Sequence, residues 1–530
     1  MHSEDAAEPG RDPSRAFFRR SFEEQLTTGV PYIIATYVIA WVLVAWVMVQ
    51  WLTFSGMRYD TYEMLLMGHE WQLAYWKHPA LPPWVAEAVF VLTGHNAFAL
   101  AVLPVAWVAA ALWLVNRLCR PILGEAGATI ATALSLGSWY IMTVAGHWNH
   151  NIAQLPFWVL AVLCYRRAIL KPSTWNWIAL AVVAELLLQT KYTGVLLLGT
   201  LAAHACWFKS SRKVLGTPQA WLGIAVALAL IVPQFLHVLH NNRTALTYYS
   251  VGREHYHAFY DYILGPLKLL GSQIFFHAAV VILVLAARPY GVLQRARAFV
   301  VALPERSLFD TSLLIASTAM PLAIGLVFYD LTGLQGRSEA FGSMFMLVGP
   351  SVVACAGRVI HIARPRLVLA LFALTLLGPP LGNCLDPIFG PLVGHRLGTE
   401  QIPFSPAADT LERTWLRLTG RPLTILAGNV YAGGGFAAFM EPRPSVLIDG
   451  TMARSPWITK QRITSEGVMI VWHIKDVKQP QPPAELVEPL AGYRIELLKP
   501  MRIKTKWDGY APPVMMGLAV ILPEHSGLRK

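Results

Sequence analysis

The sequence predicts a polytopic α-helical membrane protein with a C-terminal extracytoplasmic α/β domain. Three observations predict this class: 55% of the 530 residues are hydrophobic, only 14% are charged, and the mean hydropathy is +0.45. An ordinary soluble domain has about 25% charged residues, so this chain could not cover its apolar surface in water. The composition excludes a disordered chain, a collagen-like fibre and a small disulfide scaffold.

Long apolar runs define the transmembrane part. A transmembrane helix needs about 20 mostly apolar residues, and we predict about eleven such helices. Their segments are 32–54, 97–115, 126–144, 152–165, 175–190, 195–208, 221–239, 266–286, 313–330, 343–359 and 367–381. Residues 1–30 are polar and predict a cytoplasmic N-terminal segment before an uncleaved first helix. The transmembrane domain is therefore expected to cover residues 31–390.

The basic residues predict the orientation. They concentrate in alternate connections and in the N-terminal segment, for example at Arg19, Arg20, Arg117, Arg120, Arg166, Arg167, Lys209, Arg212, Arg288, Arg295, Arg364 and Arg366. The positive-inside rule assigns these connections to the cytoplasm, and an odd number of spans then places residues 391–530 outside. The net charge of +12 is therefore explained by the basic residues of the cytoplasmic connections, and nucleic acid is not an expected partner. Five cysteines without a CxxC pair predict neither a disulfide framework nor a zinc ribbon.

The external segment has the composition of a soluble domain, with short strands separated by turn residues. Strands are predicted at 423–427, 445–448, 468–473, 493–498 and 517–522, with a helix at 407–418. The glycine run at 433–435 lacks the spacing of nucleotide-binding motifs, and we interpret it as a plain turn.

Polar and aromatic side chains gather in the predicted outer loops, above all in the first, residues 55–84. Asp60 and Glu63 lie three positions apart and would share one face of a helix. Carboxylates can accept a proton from a hydroxyl, and lysine or arginine can hold a phosphate leaving group. This set suits a sugar bound beside a lipid phosphate. The alternative is an ordinary polar loop with an interfacial aromatic belt.

Two segments of this loop carry a family resemblance. Residues 60–63 (Asp-Thr-Tyr-Glu) and 71–84, which end in Lys-His-Pro-Ala-Leu-Pro-Pro-Trp, resemble the first periplasmic loop of bacterial family-39-like glycosyltransferases of the C-type fold. This group includes relatives of the protein O-mannosyltransferases, the lipid A aminoarabinose transferases and the rhizobial lipid A galacturonosyltransferases. The resemblance extends to Lys191-Tyr192 and to the external tail. It implies a polyprenyl-phosphate sugar donor, an acceptor reached from the periplasm and inversion at the anomeric carbon.

The resemblance also implies roles for the residues of the first loop. Asp60 matches the catalytic aspartate, the general base, although it could instead cap a helix. Glu63 could replace the acidic residue that the family has at the position of Thr61, or be a solvated charge. Lys77 and His78 match a basic element near the lipid phosphate. Their alternatives are an interfacial lysine and a cap of the following proline turn.

Seven further residues are predicted to contact substrate: Asn149, Asn151, Lys191, Tyr192, Arg243, Arg253 and Arg337. Asn149 and Asn151 occupy a region where many relatives have an aspartate, and an amide can bind sugar hydroxyls but cannot act as a base. The cations could contact the donor phosphate or a sugar acid, or they could be structural charges at helix ends.

A divalent metal ion could be held by external histidines together with a carboxylate. The residues concerned are His147, His150, His255, His257, Glu63 and Glu254. Their spacing matches no known zinc motif, so no metal ligand is predicted.

The sequence therefore predicts an inverting glycosyltransferase of the bacterial inner membrane, with a cytoplasmic N-terminus and a periplasmic C-terminal domain. The expected partners are a polyprenyl-phosphate sugar, a lipid or cell-envelope glycan acceptor, such as part of a lipopolysaccharide, and membrane lipids. The alternative is a transporter or flippase of a glycolipid or another amphipathic lipid. Glu185, inside a predicted span, would then be a functional group.

Overall fold

The computed structural model describes residues 31–241, 248, 255–395, 397–474 and 480–524. Apolar segments in the first 390 residues form a bundle of helices, and the remainder forms a mixed sheet flanked by helices. The helices up to the candidate site are α1 (Pro31–Thr53), α2 (Tyr59–Gly68), α3 (Leu81–Leu92), α4 (Ala97–Leu136), α5 (Trp139–Val144) and α6 (His150–Leu170).

Among the described residues, the bundle continues with ten α-helices, a 3₁₀ segment and a small ribbon. They are α7 (Thr174–Thr190), α8 (Gly194–Trp207), α9 (Lys209–Leu215), α10 (Pro218–Asn241), α11 (Asp261–Phe276), α12 (Ala278–Ala287), α13 (Val292–Ala296), α14 (Leu308–Thr332), a 3₁₀ segment (Ser338–Leu347), α15 (Val348–Cys355) and α16 (Pro365–Phe389). Strands β1 (Phe299–Ala302) and β2 (Val359–Ile362) pair antiparallel. The predicted span 343–359 therefore ends in a strand rather than a helix.

The predicted multi-span helical fold is confirmed. Every one of the eleven predicted segments overlaps helical structure, and six helices among the described residues are long and apolar enough to cross a membrane. The pair α11 and α12, bent by 59°, could form a seventh span. Helices α7 and α8 are shorter, at 17 and 14 residues. Helix α4 contains two predicted segments in one run, interrupted at Gly124, whose φ of 71° is left-handed.

The tail domain, residues 391–530, contains the predicted α/β sheet. Its strands are β3 (Ile425–Gly428), β4 (Ser445–Ile448), β5 (Val468–His473), β6 (Glu496–Ile503) and β7 (Val514–Ile521). The order is β4-β3-β5-β7-β6, in which β3 pairs parallel with β4 and β5, and β7 pairs antiparallel with β5 and β6. Helix α17 (Phe404–Thr419) contains the predicted helix, and its amphipathic pattern turns Leu411 and Trp415 into the core.

One hydrophobic core joins the bundle to the tail domain. Tyr62 of α2 is fully buried, and its ring contacts the rings of Phe404 and Phe439 edge-on at 5.7 and 6.4 Å. The glycine run is not the plain turn predicted. It lies in a helical turn at Val430–Gly434, where a Cβ on Gly434 would come within 3.0 Å of Leu66. The absence of a side chain at Gly434 therefore allows the tail backbone to approach α2 closely.

Candidate active site

The first loop folds as helix α2, a short extended turn and helix α3. A β-bridge between Ala74 and Pro79 closes the turn, and the proline pair at positions 82 and 83 begins α3 where their missing N–H groups cost nothing. This arrangement places Lys77 and His78 beside α2. The loop residues are therefore held by backbone structure on both sides.

Asp60 is oriented by Asn149, the residue that precedes helix α6. The Asn149 side-chain amide donates a hydrogen bond of 2.9 Å to Asp60 Oδ2. The same Asn149 accepts from the backbone N–H groups of Asn151 and Ile152, so it caps α6 while it holds Asp60. The residue preceding α2 is Arg58, and Asp60 lies inside the first turn. The capping position of this helix is therefore not occupied by Asp60.

Glu63 and Lys77 form a buried ion pair. Their Oε1 and Nζ atoms lie 2.6 Å apart, and their side chains are 5% and 15% exposed. Burial raises the pKa of Glu63, and the Lys77 ammonium opposes that rise. Lys77 also lies 5.0 Å from the centre of the Trp76 ring. Glu63 is thus neither a solvated charge nor a second free carboxylate, because its contact is with the predicted phosphate-binding lysine.

His78 stacks on His150, the first residue of α6. The ring centroids are 3.5 Å apart and the planes differ by 28°. Loss of water around the ring, and then the nearby His150, Lys77 and Lys191, lower the pKa of His78 well below its ordinary value. Within the described ranges, His78 Nδ1 and His150 Nε2 are buried without a hydrogen-bond partner. The pair therefore offers two ring nitrogens that the protein itself leaves unsatisfied.

Lys191 is buried beside the start of α6. Its ammonium donates to Asn151 Oδ1 at 2.6 Å and to the Ala340 carbonyl at 3.0 Å. Gln154, itself fully buried, donates to the Lys191 carbonyl at 3.0 Å and so fixes the turn. The two predicted asparagines therefore orient a carboxylate and an ammonium, and Tyr192 is half-buried next to them.

Of the remaining predicted site residues, one is exposed and the others lie outside the described residues. Arg337 is exposed, and its carbonyl accepts from the Ala340 backbone N–H at the start of the 3₁₀ segment. Arg243 and Arg253 lie outside the described residues, as does Glu254. In the described part of the chain, no three His, Cys, Asp or Glu side chains are grouped as a metal site would require.

The tail domain contributes two charged residues that sequence reasoning missed. The Arg454 guanidinium lies 4.5 Å from the centre of the Trp76 ring and forms an ion pair with Asp449. Asp449 has a φ of 50°, the left-handed region that a non-glycine residue adopts at an energetic cost. The negative charge of Asp449 also raises the pKa of Glu63, but less than burial and the charge of Asp60 do. In the sequence, the feature that could have indicated Asp449 is its position in an Asp-Gly pair directly after a predicted strand.

A buried ion pair joins the tail domain to α3. Arg443 contacts both oxygens of Glu87 at 2.7 and 2.8 Å, and the side chains are only 6% and 3% exposed. The other guanidinium nitrogen donates to the Leu65 carbonyl of α2 at 3.3 Å. One tail residue thus contacts both helices of the first loop, and this contact also escaped the sequence analysis.

A cavity of about 270 Å³ adjoins the start of α2. Its walls come from the end of α1, the start of α4 and the start of α17, and they include Phe54, Arg58 and Thr61. Arg58 is held by Asn383 at 3.2 Å and lies over the Phe54 ring at 4.8 Å. The cavity is therefore lined by Arg58, which lies two positions before Asp60 in the sequence.

The comparisons with known proteins agree with this architecture. A family model described as dolichyl-phosphate-mannose-protein mannosyltransferase matches residues 77–237. The crystal structure of ArnT from Cupriavidus metallidurans bound to undecaprenyl phosphate matches with a TM-score of 0.55 at 13% identity, covering 93% of this chain and 98% of that one. The apo structure of ArnT from the same organism matches with a TM-score of 0.54 at 12% identity and the same coverage. No curated protein matches the chain by sequence.

The fold and the buried polar cluster at one end of the bundle define a polytopic membrane protein of the C-type glycosyltransferase fold. The chain is similar to the mannosyltransferase family model in residues 77–237, and its fold is similar to that of ArnT over most of its length. The resemblance predicted from the first loop is confirmed.

Proposed function

We propose that the protein is an inverting glycosyltransferase that moves a sugar from a polyprenyl phosphate to a lipid or cell-envelope glycan on the periplasmic side of the bacterial inner membrane. The observation that carries the proposal is the Asp60–Asn149 contact. It joins α2 to the start of α6, and the lysines and histidines of the candidate site contact the same two helices. This is the pairing of base and phosphate site that the reaction needs.

Asp60 is the general base in this proposal. It removes the proton of the acceptor hydroxyl as that oxygen forms a bond to the anomeric carbon. The bond from that carbon to the phosphate oxygen breaks in the same displacement, so the configuration inverts and the polyprenyl phosphate leaves with the bonding electrons. Asn149 keeps the carboxylate oriented through its 2.9 Å hydrogen bond.

The leaving phosphate is bound by cations and ring nitrogens around the stacked histidines. Lys77 and Lys191 supply positive charge, and the unsatisfied nitrogens of His78 and His150 are available to a phosphate oxygen. A neutral imidazole can donate through one ring nitrogen, so it can bind a phosphate oxygen without being charged beforehand. ArnT, which shares the fold, is described in complex with undecaprenyl phosphate, and that supports a lipid-phosphate donor here.

The acceptor is proposed to enter through the 270 Å³ cavity beside α2. This cavity lies near the outer ends of α1 and α4, where a membrane-anchored acceptor can arrive from the bilayer. Arg58 in its wall supplies one positive charge. Arg243, Arg253 and Arg337 remain proposed contacts for the donor phosphate or for an acidic sugar.

Mass spectrometry of envelope lipids tests the proposal. Cells with wild-type protein, a deletion or Asp60→Asn are compared, with Asp409→Asn as the matched control, because Asp409 is an exposed residue on α17. The deletion and Asp60→Asn should lose one glycosyl mass from an envelope glycan and accumulate a polyprenyl-phosphate sugar, whereas Asp409→Asn should match wild type.

The same measurement distinguishes a transferase from a transporter or flippase. A transporter or flippase would use Glu185, which is buried and accepts a 2.7 Å hydrogen bond from Gln189, which in turn accepts one from Gln234 at 2.9 Å. If Asp60→Asn leaves all glycans intact while the deletion changes the lipid distribution between leaflets, the transferase proposal is wrong and transport replaces it.

A further inference from the structure

A second charged cavity lies at the opposite end of the bundle from the candidate active site. Its volume is about 440 Å³, and it is lined by Arg117, Leu118, Arg120, Pro121, Glu125, Leu163, Arg166 and Arg167. Helix α6 connects the two places, since His150 begins it and Arg166 and Arg167 lie near its end. A helix of 21 residues is about 31 Å long, the thickness of the hydrocarbon core. This arginine pocket therefore lies at the other face of the membrane.

Two of its four arginines hold the pocket together. Arg166 binds Asp310 of α14 through two hydrogen bonds of 2.6 and 3.1 Å. Arg120 forms an ion pair with Glu125 across the break of α4 at Gly124. Each pair joins neighbouring segments and neutralises one guanidinium. The walls of the pocket are thus fixed by contacts that do not need a ligand.

The other two arginines carry the charge that the pocket presents. Arg117 and Arg167 are exposed, and in the described part of the chain the ion pairs of this pocket belong to Arg120 and Arg166. Leu118 and Leu163, 1% and 7% exposed, form an apolar wall between them. The pocket is therefore a cationic recess with an apolar wall, next to the ends of membrane-spanning helices. The proposed reaction takes place at the other end of the bundle and uses none of these residues.

We propose that the arginine pocket binds the phosphate of an anionic phospholipid from the leaflet opposite the candidate active site. A guanidinium can bind two phosphate oxygens at once. A basic side chain at the membrane surface contributes about 1 kcal/mol to the attraction of anionic lipid. The pocket adjoins the end of a helix long enough to cross the hydrocarbon core. A lipid phosphate is confined to the plane of the bilayer and is therefore concentrated beside such a helix end. This position favours a lipid phosphate over a free one.

Native mass spectrometry of the purified full chain tests the proposal. The protein is titrated with phosphatidylglycerol or phosphatidylcholine, and the bound fraction is compared between wild type and Arg117→Ala/Arg167→Ala. The matched control is Arg295→Ala/Arg297→Ala, which removes the same charge from exposed residues outside the pocket. The pocket variant should bind phosphatidylglycerol about tenfold to thirtyfold more weakly, with phosphatidylcholine unchanged. The control variant should match wild type.

A second variant is expected to strengthen lipid binding, because weaker binding by itself could also result from a protein that fails to fold. Glu125→Gln removes the one acidic side chain among the described lining residues and releases Arg120, so phosphatidylglycerol should bind more tightly than to wild type. Equal losses in the pocket and control variants would show attraction by overall charge and would overturn the proposal. So would displacement of the lipid by millimolar glycerol phosphate, which would identify a site for free phosphate. Unchanged binding in both Arg117→Ala/Arg167→Ala and Glu125→Gln would also overturn it.

Discussion

The two ends of helix α6 differ in the exposure of their charged side chains. At the end that begins with His150, the surrounding charges are buried and held by specific partners, as in Asp60 with Asn149 and Glu63 with Lys77. At the other end, Arg167 is exposed beside an open pocket. A buried charge is costly unless it is paired, whereas an exposed charge is hydrated and can be removed cheaply. The buried end is therefore built to hold a geometry, and the exposed end to attract a ligand.

The largest effect expected from this comparison concerns the buried pair between the tail domain and α3. Arg443→Ala removes the bidentate partner of the buried Glu87 and leaves only the His69 ring, 3.6 Å away. Breaking a buried pair costs about 3–5 kcal/mol. We expect the thermal unfolding midpoint of the purified protein to fall sharply. Arg167→Ala, at the exposed end of α6, should leave the midpoint unchanged. Equal midpoints for the two variants would remove the distinction between the two ends.

The stacked histidines predict the next effect, a loss of stability in acid. The pKa of the His78 ring is lower in the folded protein than its ordinary value of about 6.5 in the unfolded chain. Between these two values the unfolded chain binds a proton that the folded protein does not bind. At pH values above the ordinary pKa, the ring is neutral in both states and its contribution to the free energy of unfolding is complete. As the pH falls below that pKa, the free energy of unfolding decreases by up to about 1.4 kcal/mol per pH unit for one proton.

The corresponding measurement is the unfolding midpoint between pH 8 and pH 5 for wild type and His78→Asn. The variant has no ring to protonate, so its midpoint should fall less steeply below neutrality. His257→Asn is the control, because that histidine is exposed. A wild-type slope in His78→Asn would mean that the ring is not held neutral by its surroundings.

The smallest effect is expected where the tail domain contacts the first loop at a partly exposed position. Arg454 is 40% exposed and lies over Trp76, and a cation–π contact at such a site contributes about 0.5–1 kcal/mol. We expect Arg454→Ala to lower transferase activity a few-fold by loosening the segment that carries Lys77, and Arg454→Lys to recover part of it. Arg421→Ala, an exposed change in the same domain, should have no effect. A full loss of activity in Arg454→Lys would instead indicate direct contact with substrate.

Part of the candidate site was predictable because it lies in one short segment. Asp60, Glu63, Lys77 and His78 all belong to the first loop, and the structure keeps them within or beside α2. The partners were not predictable in the same way. His150 was noted only as a metal candidate, and its stack on His78 depends on how α6 packs against the loop.

The sequence by itself determined the helical bundle, the five tail strands and the acidic and basic residues of the first loop, since hydrophobic runs and strand alternation are local patterns. Only the tertiary structure decided which charges meet. Asn149 and Asp60 are 89 positions apart, and Arg443 and Glu87 are 356 apart. No local pattern specifies such contacts, because they follow from the joint packing of the bundle and the tail domain around α2. That packing turns a polar loop into a buried site with an oriented carboxylate.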